Sequence, residues 1–333
     1  VAFWRWFAGR LLLMIAVIFT AASLNFLLPK LSPMNPVETK LLQLQESGGA
    51  LTDIHDLVQA YEEKFGLNKP WLTQYGNFLA STARFDLGYS IAFYPTRVID
   101  LIRRALPWTI GLLLTSTLIA FAVGTLLGAA IAWENAPKFL LFFAPGVMVL
   151  AALPYYLLGL VLIYLLAFTW NLFPLGGGYE LTSSPSLTWG FAFDVLRHSV
   201  LPAFSIVLAS IGTWALGMRG MMITVQGEDY MNYALANGLS PRRRFFSYGL
   251  RNAMLPAVTG LALQIGHVAA GAVIVERIFG YPGLGTLLFE AIEQSDYFVI
   301  YGVVFIIVVM IATMMLLVDL IYPLLDPRIR RGA

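Results

Sequence analysis

The sequence contains no cysteine and only 3 histidines, and just 12% of its 333 residues are Asp, Glu, Lys or Arg. Without cysteine there is no disulfide, no thiolate metal site and no thiol nucleophile. The histidines, His55, His198 and His267, are scattered and show no HExxH-type spacing, so no metal site is expected. No Gly-x-x-x-x-Gly-Lys-Ser/Thr phosphate loop occurs, so the chain carries no nucleotide site of that kind. The formal net charge of +2 is too small to argue for nucleic acid as a partner.

What is abundant is apolar surface: 59% of residues are hydrophobic. A soluble domain carries about 25% charged residues, about twice the fraction here, so this chain needs an apolar solvent. Crossing a bilayer takes about 20 mostly apolar residues, and six stretches qualify: 11–28, 108–133, 139–168, 200–224, 256–278 and 298–320. The first is longer than a signal-peptide core and ends in Pro29-Lys30 rather than a small-residue cleavage site, so it reads as a span. Lys and Arg gather in cytoplasmic short loops. With the N-terminus inside, Arg5, Arg10, Lys138, Arg242, Arg243, Arg244, Arg251, Arg328, Arg330 and Arg331 all fall inside, against Arg197 and Arg277 in short outer loops. Arg103 and Arg104 fall in the long loop, which translocates regardless of charge. The expectation is an all-α polytopic membrane protein with both termini cytoplasmic. It divides into the N-terminus and first span (1–30), a helical extracytoplasmic insertion (31–106) and a five-helix core (107–333).

Helical spacing of Ile54, Leu57, Val58, Tyr61 and Phe65 predicts one helix in the insertion, ended by Gly66. A second is expected to start at Pro70 and to carry Trp71, Tyr75, Phe78 and Leu79 on one face. Such a region can shield the outer mouth or dock a soluble partner. Gly124 and Gly128 form a GxxxG pair that permits close helix approach. Pro145 and Pro154 lie in a third span too long for one straight crossing, so a kink or interruption is expected there.

The segment 225–255, between the fourth and fifth spans, has the clearest turn chemistry. A helix is expected from about Glu228 to Asn237, with Glu228 and Asp229 in its first turn, where the macrodipole favours acids. Gly238 ends it, supplying a left-handed residue without a Cβ penalty. After Leu239, Ser240-Pro241 supplies an N-cap and first-position proline for a second helix through Arg242, Arg243, Arg244, Phe245 and Phe246. A DNA-reading helix-turn-helix tethered to the membrane at both ends would hardly enter a groove. The positive-inside rule accounts for the arginines but not for a rigid capped pair, which is what transmits motion between two proteins.

The run Glu228-Asp229-Tyr230, Ala234-Leu235-Ala236-Asn237-Gly238-Leu239-Ser240 and Leu250-Arg251-Asn252-Ala253-Met254-Leu255-Pro256 resembles the EAA-loop signature of ABC importer permeases, in the form of the dipeptide/oligopeptide branch. Asn232-Tyr233 departs from the Glu-Ala that names the motif. Further segments are similar to that branch in order along the chain: Leu31-Ser32-Pro33-Met34-Asn35-Pro36-Val37, Phe85-Asp86-Leu87-Gly88-Tyr89-Ser90, Gly271-Ala272-Val273-Ile274-Val275-Glu276, Tyr281-Pro282-Gly283-Leu284-Gly285, Leu317-Val318-Asp319-Leu320 and Leu325-Asp326-Pro327-Arg328. The resemblance implies the first permease of a pair in a prokaryotic inner membrane, with a homologous second permease, an extracytoplasmic substrate-binding protein and two cytoplasmic ATPase subunits. Those subunits, not this chain, would bind and hydrolyse ATP with Mg. It also implies that Ala234, Gly238 and Leu239 make the coupling contacts. Peptides are the branch's default cargo. Phe173-Pro174-Leu175-Gly176-Gly177-Gly178-Tyr179 and Gly217-Met218-Arg219 resemble its members for β-linked oligosaccharides, and nickel chelates are a further branch substrate.

Ionisable residues within spans are candidates for function. Arg219 and Asp319 lie near inner span ends, where Arg219 can snorkel and Asp319 can pair with a neighbouring helix or with Arg219. Glu276 and Arg277 form a surface ion pair or part of an outer gate, and His267 an interhelical hydrogen bond or a substrate contact. An ion-coupled secondary transporter would show inverted repeats and paired broken helices, and a scaffold would need no capped loop.

Overall fold

A computed structural model describes residues 2–30, 68–180, 182–267 and 273–325. Within them the chain is helical: α1 (Ala2–Lys30), α2 (Trp71–Ala83), α3 (Val98–Ala132), α4 (Lys138–Leu141), α5 (Phe143–Ala152), α6 (Tyr155–Leu162), α7 (Trp189–Gln226), α8 (Asp229–Ala236), α9 (Pro241–Arg243), α10 (Arg251–His267), α11 (Val273–Ile278), α12 (Leu284–Glu293) and α13 (Tyr297–Leu325). Wider π-helical turns follow α6 (Ile163–Thr169) and α9 (Arg244–Leu250). The expected helix through Ile54 to Phe65, the Leu31 to Val37 motif, Gly271-Ala272 and Asp326-Pro327-Arg328 lie outside the described residues.

Among the described residues, four helices are long and apolar enough to cross a membrane: Trp4–Leu27, Val98–Ala132, Trp189–Gln226 and Tyr297–Leu320. A fifth crossing is possible in the pair Lys138–Ala152 and Tyr155–Thr169, bent by 104°. The bend falls at Leu153-Pro154, where Leu153 is extended (φ −86°, ψ 126°), as expected of a residue before proline. The expected third-span interruption is therefore present, at Pro154 rather than Pro145, which α5 absorbs near its start. The stretch expected as a fifth span, 256–278, is shared between α10 and α11, with 268–272 outside the described residues. At ~1.5 Å per residue α7 is about 57 Å long, well beyond the span expected at 200–224. It starts early because the Thr188 side-chain oxygen accepts the Phe191 N–H at 3.3 Å and caps it.

The chain forms two compact units. The first comprises residues 1–109 and 282–316. Its core unites Val98 and Ile102 of α3, Leu284 and Ala291 of α12, and Val299 and Val303 of α13, with Ala22 of α1. The buried Asp296 starts α13, accepting the Val299 N–H at 3.2 Å, the Ala92 N–H at 2.9 Å and the Ser90 hydroxyl. Helix α2 packs on α1 through Tyr75 and Phe78, whose rings meet Phe26 at 5.4 and 5.3 Å. Two details differ from expectation. Pro70 precedes the first helical residue rather than occupying it, and Trp71 is exposed while Tyr75, Phe78 and Leu79 turn inward. The first turn of α2 projects Trp71 ahead of the turns that meet α1.

The second unit comprises residues 110–281 and 317–333. Here α7 is packed on two sides through glycine. A Cβ on Gly128 would lie 2.1 Å from the Ala215 carbonyl oxygen and one on Gly124 2.6 Å from the Trp214 Cβ, so the GxxxG pair is the contact face of α3 on α7. Gly212 of α7 in turn lies against α5, where a Cβ would be 2.4 Å from the Ala151 nitrogen.

Candidate functional site

The expected helix-turn-helix at 225–255 is present, in the second unit. Gly227 closes α7, and α8 begins one residue later than expected, with Asp229 in its first turn. Glu228 precedes it in extended conformation and offers no side-chain cap. At the other end Gly238 has φ +69°, its N–H reaches the Leu235 carbonyl at 2.9 Å, and the Leu239 N–H reaches the Ala234 carbonyl at 3.1 Å. Those two bonds make a Schellman motif and satisfy the last carbonyls of α8. Asn237, the preceding residue, donates from its side chain to the Tyr233 carbonyl at 2.8 Å.

Pro241 occupies the first position of α9 as expected, but the Ser240 side chain makes no capping hydrogen bond. Its carbonyl accepts the Arg244 N–H at 3.0 Å, the first intrahelical bond. Helix α9 does not stop near Phe246. It passes through the seven-residue π segment into α10, so the turn is joined directly to a long helix. The wide turns bring Gly249 inward, where a Cβ would lie 3.2 Å from the Met222 side chain and 3.6 Å from the Trp133 ring.

Two faces of α8 follow. Met231 and Ala234 are buried, Met231 in a cluster with Trp133, Met218, Met222 and Ala253. Tyr233 (69% exposed) and Leu235 (54%) point outward with Asp229. Ala234 therefore seats the helix, and Tyr233 and Leu235, two residues apart, are exposed on either flank of that buried face. Arg242 and Arg243 are exposed, Leu239 half-buried. Tyr230 is half-buried; burial and the neighbouring Glu228 push its hydroxyl up from the ordinary 10.0, opposed by a hydrogen bond with Asn252.

Four residues outside the expected set hold this element. Arg244 is buried, pairs with Glu134 Oε1 at 2.5 Å and lies over the Trp133 ring at 5.8 Å. The Glu134 N–H donates to Gln226 Oε1 at 3.0 Å, and Gln226 Nε2 donates to the Ala132 carbonyl at 2.9 Å. The one sequence signal for them was a lone acid in a short loop expected on the same side as a three-arginine run.

The remaining candidates are not gathered at this site. Glu276 is fully buried in α11 while its neighbour Arg277 is exposed, so the carboxylate is no surface group. Arg219 on α7 and Asp319 on α13 are half-buried, and His267 ends α10 with its side chain outside the described residues.

The family model described as binding-protein-dependent transport system inner membrane component matches residues 124–331, which includes the whole 225–255 element. The chain belongs to this family. As an inner membrane component it is a multi-pass protein of the bacterial inner membrane, in keeping with its apolar helices. This transport-component chain is similar over nearly its full length to the oligopeptide transport system permease protein AppB of Bacillus subtilis, 32% identical over 324 residues, covering 96% of this chain and 97% of that one. The dipeptide transport system permease protein DppB of Bacillus subtilis is 32% identical over 327 residues, with 98% of each chain covered. The DppB of Escherichia coli is 33% identical over 283 residues, covering 80% and 83%.

Proposed function

We propose that this chain is one of two permease subunits of an ATP-driven, binding-protein-dependent importer of dipeptides and oligopeptides. The observation that carries the reading is the near-full-length similarity to permeases named for oligopeptide and dipeptide transport. In this scheme the chain crosses the membrane six times with both termini in the cytoplasm. Residues 31–106 form the extracytoplasmic insertion facing the substrate-binding protein, and 107–333 line the pathway with a homologous second permease. The 225–255 loop faces two cytoplasmic ATPase subunits, which bind and hydrolyse ATP with Mg; this chain binds no cofactor.

The loop supports that role physically. Exposed Tyr233 and Leu235, on the two flanks of α8, give an ATPase apolar surface, Glu228 and Asp229 add negative charge, and the guanidinium groups of Arg242 and Arg243 can pair with carboxylates of the ATPase. Asn237, Gly238, Leu239 and Ser240 fix the turn, Tyr230 and Ala234 seat α8, and the run into α10 carries motion toward the membrane. Buried Glu276, next to Arg277, fits an outer gate, whereas Arg219, Asp319 and His267 fit contacts between helices. The test is uptake of a labelled dipeptide by membrane vesicles containing the whole transporter and its binding protein. Uptake should require ATP and persist when ion gradients are collapsed; uptake abolished by collapsing the gradients with ATP present contradicts the proposal.

A further inference from the structure

We infer that Glu134 and Arg244 form a positioning clamp that transmits movement of the α8–α9 turn to the helices α3 and α7. The inference rests on the coupling reading of 225–255 and deepens it. Three chain segments meet at this pair. Ala132 ends α3 and Trp133 and Glu134 follow it, Gln226 ends α7, and Arg244 opens the π segment six residues beyond Gly238. The Glu134 carboxylate holds the Arg244 guanidinium at 2.5 Å, and the Glu134 backbone N–H holds the Gln226 side chain at 3.0 Å. Gln226 closes the knot by donating to the carbonyls of Ala132 at 2.9 Å and Met222 at 3.1 Å. A loop contact that served only solubility would leave its arginine in water, as Arg242 and Arg243 are. Arg244 instead keeps 7% of its side-chain exposure, with Trp133 beneath it.

Only one member of the pair is buried, the Glu134 side chain keeping 48% of its exposure; desolvation of Arg244 offsets much of the Coulomb gain, but the contact fixes one relative geometry and penalises those that strand the buried guanidinium. The penalty is what transmission needs. With Arg244 unable to leave Glu134 without stranding a buried charge, a push on α8 and α9 displaces the ends of α3 and α7 together. The apolar packing around the pair, where Gly249 lies against Met222 and Trp133, seats these segments but tolerates sliding. The ion pair supplies the direction.

The test uses the complete transporter with its ATPases and binding protein, in vesicles, comparing Glu134→Gln, Arg244→Gln and the double variant Glu134→Met/Arg244→Met. Replacing both members by apolar groups avoids an uncompensated buried charge, so the double variant assembles even where a single one does not. Expected is normal co-purification of the ATPases with the double variant, retained ATP hydrolysis, and at least about a fivefold loss of substrate moved per ATP hydrolysed. Where both single variants assemble, their effects should not add, as members of one unit. Wild-type transport per ATP in the double variant, or additive losses in the singles, overturns the clamp. Gly238→Val is run in parallel: if it uncouples while the clamp variants do not, only the clamp fails, and if it too is wild type, the coupling reading fails with it.

Discussion

At Gly238 the backbone sits at φ +69°, and a Cβ there would meet nothing within 4 Å. Any penalty for replacing it is therefore conformational, not steric crowding, and a left-handed L-residue costs about 1–2 kcal/mol. Asn tolerates this region and β-branched residues do not. Gly238→Asn should retain most transport, while Gly238→Val should uncouple ATP hydrolysis from transport with the complex assembled, measured as substrate moved per ATP; equal behaviour of the two would refute the conformational account. Tyr230 gives a pH prediction. Its folded-state value lies above the unfolded 10.0, so the stabilisation is fully present below pH 10 and is lost as pH rises through the folded value. Tyr230→Phe should remove that part of the alkaline destabilisation, read as thermal unfolding of the detergent-solubilised complex between neutral pH and above pH ~10. Gly238 was legible in the sequence because a helix stop is local chemistry. Arg244 was not: one arginine of three adjacent is buried only because Glu134, 110 residues earlier, is folded against it.

Among elements, α7 shows how glycine sets packing when the lipid side offers no hydrophobic drive. A side chain on Gly128 would collide with backbone at 2.1 Å, whereas one on Gly146 of α5 meets nothing within 4 Å. Gly128→Val should cost more than the ~1–3 kcal/mol of ordinary overpacking and abolish recovery of folded complex. Gly146→Ala should be neutral or gain up to about 1 kcal/mol from helix propensity, both read by thermal melting in detergent. Asp296→Ala removes the cap of α13 and the acceptor for Ser90 and Ala92, costing ~0.5–2 kcal/mol in the same assay. The sequence carried the helices, the GxxxG face and the Pro154 break because periodicity and proline act locally. It did not carry the π segment or the early start of α7. In the first, Gly249 lies beside Met222 and Trp133, contacts distant in sequence, and the second starts at a threonine cap placed ahead of the apolar run. Ser240, a good capping residue by type, makes no side-chain capping hydrogen bond, and nothing in the structure explains it.

For the whole molecule, family and membrane location follow from motifs in order along the chain and are stated by the family match. The proposed function requires that α8 and its turn meet an ATPase. A chain without cysteine lets single thiols report this directly. Leu235→Cys, in the assembled transporter, carries an exposed position on α8, and Leu187→Cys an exposed position in the segment before α7. Treated with a thiol-to-amine crosslinker, the Leu235 thiol should capture an ATPase subunit and the Leu187 thiol should not. A Leu235 thiol that labels freely with maleimide yet captures no ATPase subunit, or capture that is equal from both positions, contradicts the account.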